Sequence, residues 1–250
     1  MIPDDTSLDA VAALGDGLRR SLYDFIRRSD RAVTRDEAAQ SVGISRKLAA
    51  FHLDKLVDAG LLATRYAHPA GLRRVGRTPK VYEPSALDVQ VSIPQREHVL
   101  LADILVDAVL AQGPEETAEQ AARRLAADHG HRLGQAERGS PRGGRIGPER
   151  ALTCAQQVLE RHGFEPMRAD PGLVRLRNCP FHPLAAKAPD LVCGINHAFL
   201  GGFLTGLGAP AVRANLNPVP GQCCVELEVP ASQTASASEE EPSPGGPQQA

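Results

Sequence analysis

The chain has 250 residues, 42% of them hydrophobic, with 28 Lys or Arg against 30 Asp or Glu and a formal net charge of −2. That length can bury one or two cores, and no apolar run approaches the roughly 20 residues of a membrane span, which excludes a helical membrane protein. The opening MIPDDTSLD is acidic where a secretion signal would be basic, so the expectation is a cytoplasmic protein whose five cysteines are thiols or metal ligands rather than a disulfide framework.

Asp9 to Ser29 reads as one helix, with Val11, Leu14, Leu18, Leu22, Phe25 and Ile26 as its apolar stripe. Thr34 to Leu62 reads as two short helices joined by a tight turn at Gly43. Ala38, Ala39 and Val42 line the first helix, and Ser45 is placed to cap a second that starts at Arg46. Ala49, Leu53 and Leu56 recur at spacings of four and three, so they share the face that packs on the first helix. Arg46, Lys47 and Ala50 point elsewhere. Two cations beside a small residue near a helix N-terminus suit a recognition helix in a major groove. His52 on that helix is a packing group or a phosphate contact and is placed with the DNA-binding set.

Leu61 to Tyr66 reads as a strand, His68 to Lys80 as a Gly- and Arg-bearing loop, and Val81 to Glu83 as a returning strand. Arg65, Arg73, Arg74, Arg77 and Lys80 give this hairpin five cations, with no acid between Arg65 and Lys80, as expected of a wing lying along phosphates. From Arg19 to Lys80 the chain carries fourteen Lys or Arg against six acids, a local net of +8, so the remainder is near −10. A basic head on an acidic body fits a DNA reader with a separate second domain. Residues 1–90 are therefore expected to be a winged helix-turn-helix domain.

Residues 95–133 read as a helical linker or dimerisation segment. His98 to Ala111 carries Leu101, Leu105 and Ala108 with Ile104 and Val109, and Glu115 to His131 forms a second, charged helix. Paired heads read two-fold symmetric operators, so a homodimer on an inverted repeat of double-stranded DNA is expected, with no membrane partner. Residues 134–148 have the composition of a flexible linker, its arginines Arg138, Arg142 and Arg145 followed by Arg150. Residues 149–229 read as a small α+β sensor domain in the order helix, two strands, long helix, two strands, and residues 230–250 as a disordered tail. The fold class is α+β.

Cys179 follows a strand, Cys193 lies in the first turns of the long helix, and Cys223 and Cys224 start the final strand. Thirteen residues separate Cys179 from Cys193 and twenty-nine separate Cys193 from Cys223, unlike the short spacings of a zinc ribbon. Long-spaced thiolates, one in Asn178-Cys179-Pro180, suit an iron-sulfur cluster wedged between a loop, a helix start and a strand. Strand phase favours Cys223 over Cys224 as the third ligand, with Cys224, His182, His197, a small thiol or water left for a fourth position. Cys154 reads as a buried helix thiol.

The head segment Gly43 to Leu62, the wing Gly76-Arg77-Thr78-Pro79-Lys80-Val81-Tyr82 and the pieces Asn178 to Leu184, Leu191 to Gly194 and Pro220 to Val225 resemble the ArsR-like winged-helix transcriptional regulators, in the SufR group of iron-sulfur-responsive repressors. The resemblance runs from about Leu8 to Val229. It implies a cytoplasmic homodimer that represses iron-sulfur assembly genes, with a [4Fe-4S] or [2Fe-2S] cluster in the C-terminal domain setting operator affinity. Zinc is the alternative metal. A second reading keeps the DNA head and makes the other domain a metal-free thiol-redox or small-molecule sensor. A third, a cysteine enzyme using His182 or His197, lacks a phosphate-cradling Gly-rich loop, a G-x-S-x-G elbow and an H-E-x-x-H pair, so no enzymatic activity is expected.

Overall fold

The computed structural model describes residues 5–67, 78–138 and 146–230. They belong to two compact units, one ending at Ser92 and the other beginning at Ile93. The tail from Ala231, the wing tip with Arg73, Arg74 and Arg77, and the linker arginines Arg142 and Arg145 lie outside the described residues.

In the N-terminal unit the expected first helix is two helices, α1 (Asp5–Gly15) and α2 (Gly17–Arg27). Asp16 divides them because its extended backbone caps α2, its carboxylate accepting the Arg19 amide at 3.0 Å. The break re-phases the stripe, leaving Val11 exposed while Ala10, Leu22 and Ile26 are buried. Strand β1 (Val33–Thr34) leads into α3 (Arg35–Val42), where Thr34 and Glu37 form a reciprocal capping box. Gly43 ends α3 at φ +71°, a conformation costly to a residue with a Cβ, and Ser45 caps α4 (Arg46–Asp58) by accepting the Leu48 amide at 3.2 Å. Ala38, Ala39, Ala49, Leu53 and Leu56 close the core as expected. Strands β2 (Leu62–Tyr66) and β3 (Lys80–Pro84) form the antiparallel stem of the wing, and β1 pairs with the other edge of β3.

The C-terminal unit holds α5 (His98–Leu110), α6 (Ala118–Arg138), α7 (Pro148–Arg161), β4 (Pro166–Asp170), β5 (Leu173–Leu176), α8 (Leu184–Lys187), α9 (Pro189–Leu207), β6 (Arg213–Leu216) and β7 (Val225–Glu228). Its four strands make an antiparallel sheet in the order β4-β5-β7-β6. Leu101, Ile104 and Ala108 of α5 and Ala121, Ala122 and Ala126 of α6 share one core with Phe199, Phe203 and Val225. The segment read as a separate linker is thus part of this unit. Residues 134–138, read as flexible, are the end of α6.

Helix α6 is held there by α9. A Cβ on Gly130 would lie 2.9 Å from the Phe199 carbonyl carbon, and one on Gly134 would lie 2.6 Å from the Leu207 amide nitrogen. Across the contact, a Cβ on Gly202 would lie 2.7 Å from the Ala127 carbonyl carbon, and one on Gly206 would strike the His131 carbonyl. Glycines facing glycines let the two backbones touch. The local composition that suggested a mobile tether at Gly134 is instead a packing surface.

Candidate nucleic-acid interface and four-cysteine site

The face of α4 opposite its core residues is built from Lys47, Ala50, Phe51 and Asp54, which recur three and four residues apart, with Arg46 at the helix N-terminus. Arg46 Nε meets Asp36 Oδ1 at 3.0 Å in an exposed pair, a contact weak enough to be exchanged for a phosphate. Lys80, at the start of β3, pairs with Asp54 at 3.1 Å and sits over the Tyr82 ring. Between α3, α4 and the wing stem is a cleft of about 370 Å³ lined by Arg35, Arg46 and Lys80, with Asp36 as its one acid. Arg35 donates to Tyr82 Oη at 3.1 Å, while its buried Nε has no hydrogen-bond partner among the described residues. Three cations around a small cleft suit a backbone phosphate.

Two assignments change here. His52, grouped with the DNA contacts, is 6% exposed; its Nδ1 lies 4.0 Å from Asp16 Oδ1 and its ring meets Phe51 edge-on. It belongs to the packing behind α4, because position 52 lies beside Leu56 at the edge of the buried face formed by Ala49, Leu53 and Leu56. Phe51, which the sequence reading passed over, is 56% exposed on the open face. Arg35 was also passed over, since a helix-terminal arginine carries no local signal of the cleft it lines.

In the C-terminal unit Cys179, Cys193, Cys223 and Cys224 converge. The Cys179 thiol lies within interaction range of Cys223, Cys223 of Cys224, and Cys193 of Cys224, and all of them are free thiols. Backbone N–H groups of Phe181 and His182 point at the Cys179 sulfur, and that of Val225 points at the Cys223 sulfur. Asn196, fully buried one turn along α9 from Cys193, donates from Nδ2 to Cys223 Sγ at 3.2 Å. Its Oδ1 has no partner among the described residues. Cys223 and Cys224 precede β7 rather than start it, so the strand alternation that disfavoured Cys224 does not operate, and both are buried.

The Cys179 thiol is pushed up by its interaction with Cys223 and by burial. At Cys223 the interaction with Cys179 pulls down, but that with Cys224 and burial outweigh it, leaving the thiol at about 12. Burial raises Cys193 as well, against the pull of Cys224. Such protonated thiols are the opposite of an activated nucleophile. Among the described residues no three His, Cys, Asp or Glu side chains already stand as a set that could hold a metal ion. The donor set is nonetheless four soft sulfurs with N–H groups aimed at two of them, the chemistry that thiolate-bound clusters use. His197 is committed through Nε2 to the Ala214 carbonyl at 2.9 Å, and Cys154 lies apart on α7, raised by burial.

The loop bearing Cys179 is tied to the residues that open the unit. Arg96 donates to Asn178 Oδ1 at 2.6 Å and to the Cys179 carbonyl at 2.8 Å. The Glu97 amide bonds the Pro180 carbonyl at 2.9 Å, and the His98 ring meets the His182 carbonyl at 3.1 Å.

No helix of the described residues is long and apolar enough to cross a membrane. No characterised protein matches the chain. Residues 14–65, from α1 through the first strand of the wing, match the family model of a helix-turn-helix domain. The N-terminal unit is therefore a helix-turn-helix domain, the DNA-binding module of transcriptional regulators.

Proposed function

We propose that this chain is a sequence-specific transcriptional repressor whose operator affinity is set by the state of its four-cysteine site, with an iron-sulfur cluster as the resident group and iron-sulfur assembly genes as the targets. The observation that carries the proposal is the meeting of Cys179, Cys193, Cys223 and Cys224 from three distant segments beneath backbone N–H donors. A bound cluster would supply a redox- and iron-sensitive anionic charge at that point. The four thiols would hold it after losing their protons, Asn196 and the N–H groups of Phe181, His182 and Val225 would stabilise the sulfurs, and Arg96 would hold the Cys179 loop.

Homodimerisation through α5 belongs to the same proposal. Val99, Val106, Val109 and Leu110 are 56%, 56%, 72% and 79% exposed along one side of α5, an apolar stripe that a second copy would cover. Two heads so joined would read an inverted repeat, with affinity depending on their spacing.

The test is iron and acid-labile sulfide content with the visible spectrum of anaerobically purified protein, followed by operator binding before and after the group is removed. Matching iron and sulfide, lost in Cys179→Ser and Cys193→Ser, together with a changed operator affinity are expected. Protein that stays colourless after reconstitution would overturn the cluster and leave the helix-turn-helix domain standing. The nearness of Cys179 to Cys223 favours a second reading, in which peroxide takes two electrons and two protons from that pair to form a disulfide and water. Loss of two titratable thiols on peroxide treatment of metal-free protein would favour it.

A further inference from the structure

We infer that Phe51 is a specificity-determining residue that reads the C5-methyl group of a thymine in each operator half-site. The inference rests on the DNA-binding reading of α4.

The chain has six phenylalanines. Phe164, Phe181, Phe199 and Phe203 are no more than 2% exposed and Phe25 is partly buried against the head core, whereas Phe51 is 56% exposed. Burying such a side chain favours folding, so a ring left in water in the middle of a well-formed helix adds little to the fold. Its one ring contact among the described residues is the edge of His52, at 5.3 Å between centroids.

Phe51 lies on the side of α4 directly opposite the core, one turn after Lys47 and beside Ala50. Lys47 has the charge to meet phosphate or guanine, and Ala50 is small enough to let the helix approach the base edges closely. The major-groove edge of DNA is polar apart from one group, the thymine methyl, which is where an apolar side chain gains by leaving water. A phenyl ring one turn after a lysine and next to an alanine on the second helix of a helix-turn-helix is placed for that contact.

The test is to select operator sequences from randomised duplexes with the full-length protein, then replace each selected thymine in turn by deoxyuridine, which deletes the methyl group alone. One thymine per half-site should be found at which the replacement weakens wild-type binding about three- to tenfold. The Phe51→Ala variant should bind thymine and deoxyuridine duplexes equally, while Phe51→Leu retains part of the discrimination. If selection succeeds but no replacement changes wild-type affinity, Phe51 does not read a methyl group and the DNA-binding reading survives. If selection yields no sequence preference, both readings fall. A change of oligomeric state in Phe51→Ala, seen by sedimentation, would assign the ring to a protein interface and overturn the inference.

Discussion

Arg96 donates to the side chain of Asn178 at 2.6 Å and to the backbone of Cys179 at 2.8 Å, so one guanidinium grips both the residue before the thiol and the thiol's own peptide. Arg96 lies four positions beyond Ser92, where the helix-turn-helix unit ends, and two before α5 begins. Under the proposed coupling, a displacement of the Cys179 loop would reach the stretch of chain just before α5 through this grip. With Arg96→Ala, iron and sulfide content and operator affinity of the unloaded protein should stay near wild type. The ratio of affinities between loaded and unloaded forms should shrink at least about fivefold, the low end of ordinary allosteric coupling. Fluorescence anisotropy on a labelled operator reads both. An unchanged ratio would remove Arg96 from the route.

Lys47 and His52 are five residues apart on α4 and should behave oppositely. Lys47→Ala should weaken binding to all DNA sequences and reduce the slope of log K against log salt by about 1, as loss of one phosphate contact does. His52→Ala should leave that slope alone and destabilise the head by about 1–3 kcal/mol, because it empties a site in the packing behind α4. All three tyrosines, Tyr23, Tyr66 and Tyr82, lie in the head and the chain has no Trp, so tyrosine fluorescence follows head unfolding within the full-length protein.

The capping box at α3 makes head stability depend on acid. Arg31 beside Glu37 holds its carboxyl down at about 2, against an opposing push from burial, and the Thr34 amide and hydroxyl add to the downward pull. A depressed carboxyl contributes stability above its ordinary value of 4.5 and loses it as pH falls toward 2. Denaturant midpoints followed by tyrosine fluorescence should therefore fall below pH 4.5 in wild type and fall less steeply in Glu37→Gln. Thr34→Ala should cost about 1 kcal/mol at neutral pH.

Gly201 and Gly202 are neighbours on α9 with opposite surroundings. A Cβ at Gly201 meets nothing within 4 Å, so Gly201→Ala should stabilise the C-terminal unit by up to about 1 kcal/mol through helix propensity. A Cβ at Gly202 would press on the Ala127 backbone, which cannot yield without parting α6 from α9. Gly202→Ala should destabilise that unit by about 3 kcal/mol, the upper part of the usual range for overpacking. Far-UV circular dichroism during thermal unfolding, with tyrosine fluorescence as a head control, separates the two.

Much of the head was legible from local chemistry. Gly43, Ser45 and the spacing of Ala49, Leu53 and Leu56 specify a turn, a cap and a buried face using atoms only a few residues apart. The same is true of the paired strands β4 and β5 and of α9 as a long helix. The break at Asp16 was missed because an apolar stripe can be drawn through it, and the capping bond to Arg19 outweighs that pattern.

What the sequence by itself determined is the set of elements whose hydrogen bonds and apolar spacing are local: the helix-turn-helix, the two strands that follow it and the order of the α+β elements. Only the tertiary structure decided which side of α4 His52 and Phe51 occupy, that Gly134 is a helix contact rather than a tether, and that Cys224 joins the other three thiols. Those outcomes depend on contacts between residues tens of positions apart, such as Gly134 with Leu207 and Cys179 with Cys223. Such contacts form only when whole faces are buried together, and no short window of sequence carries that information.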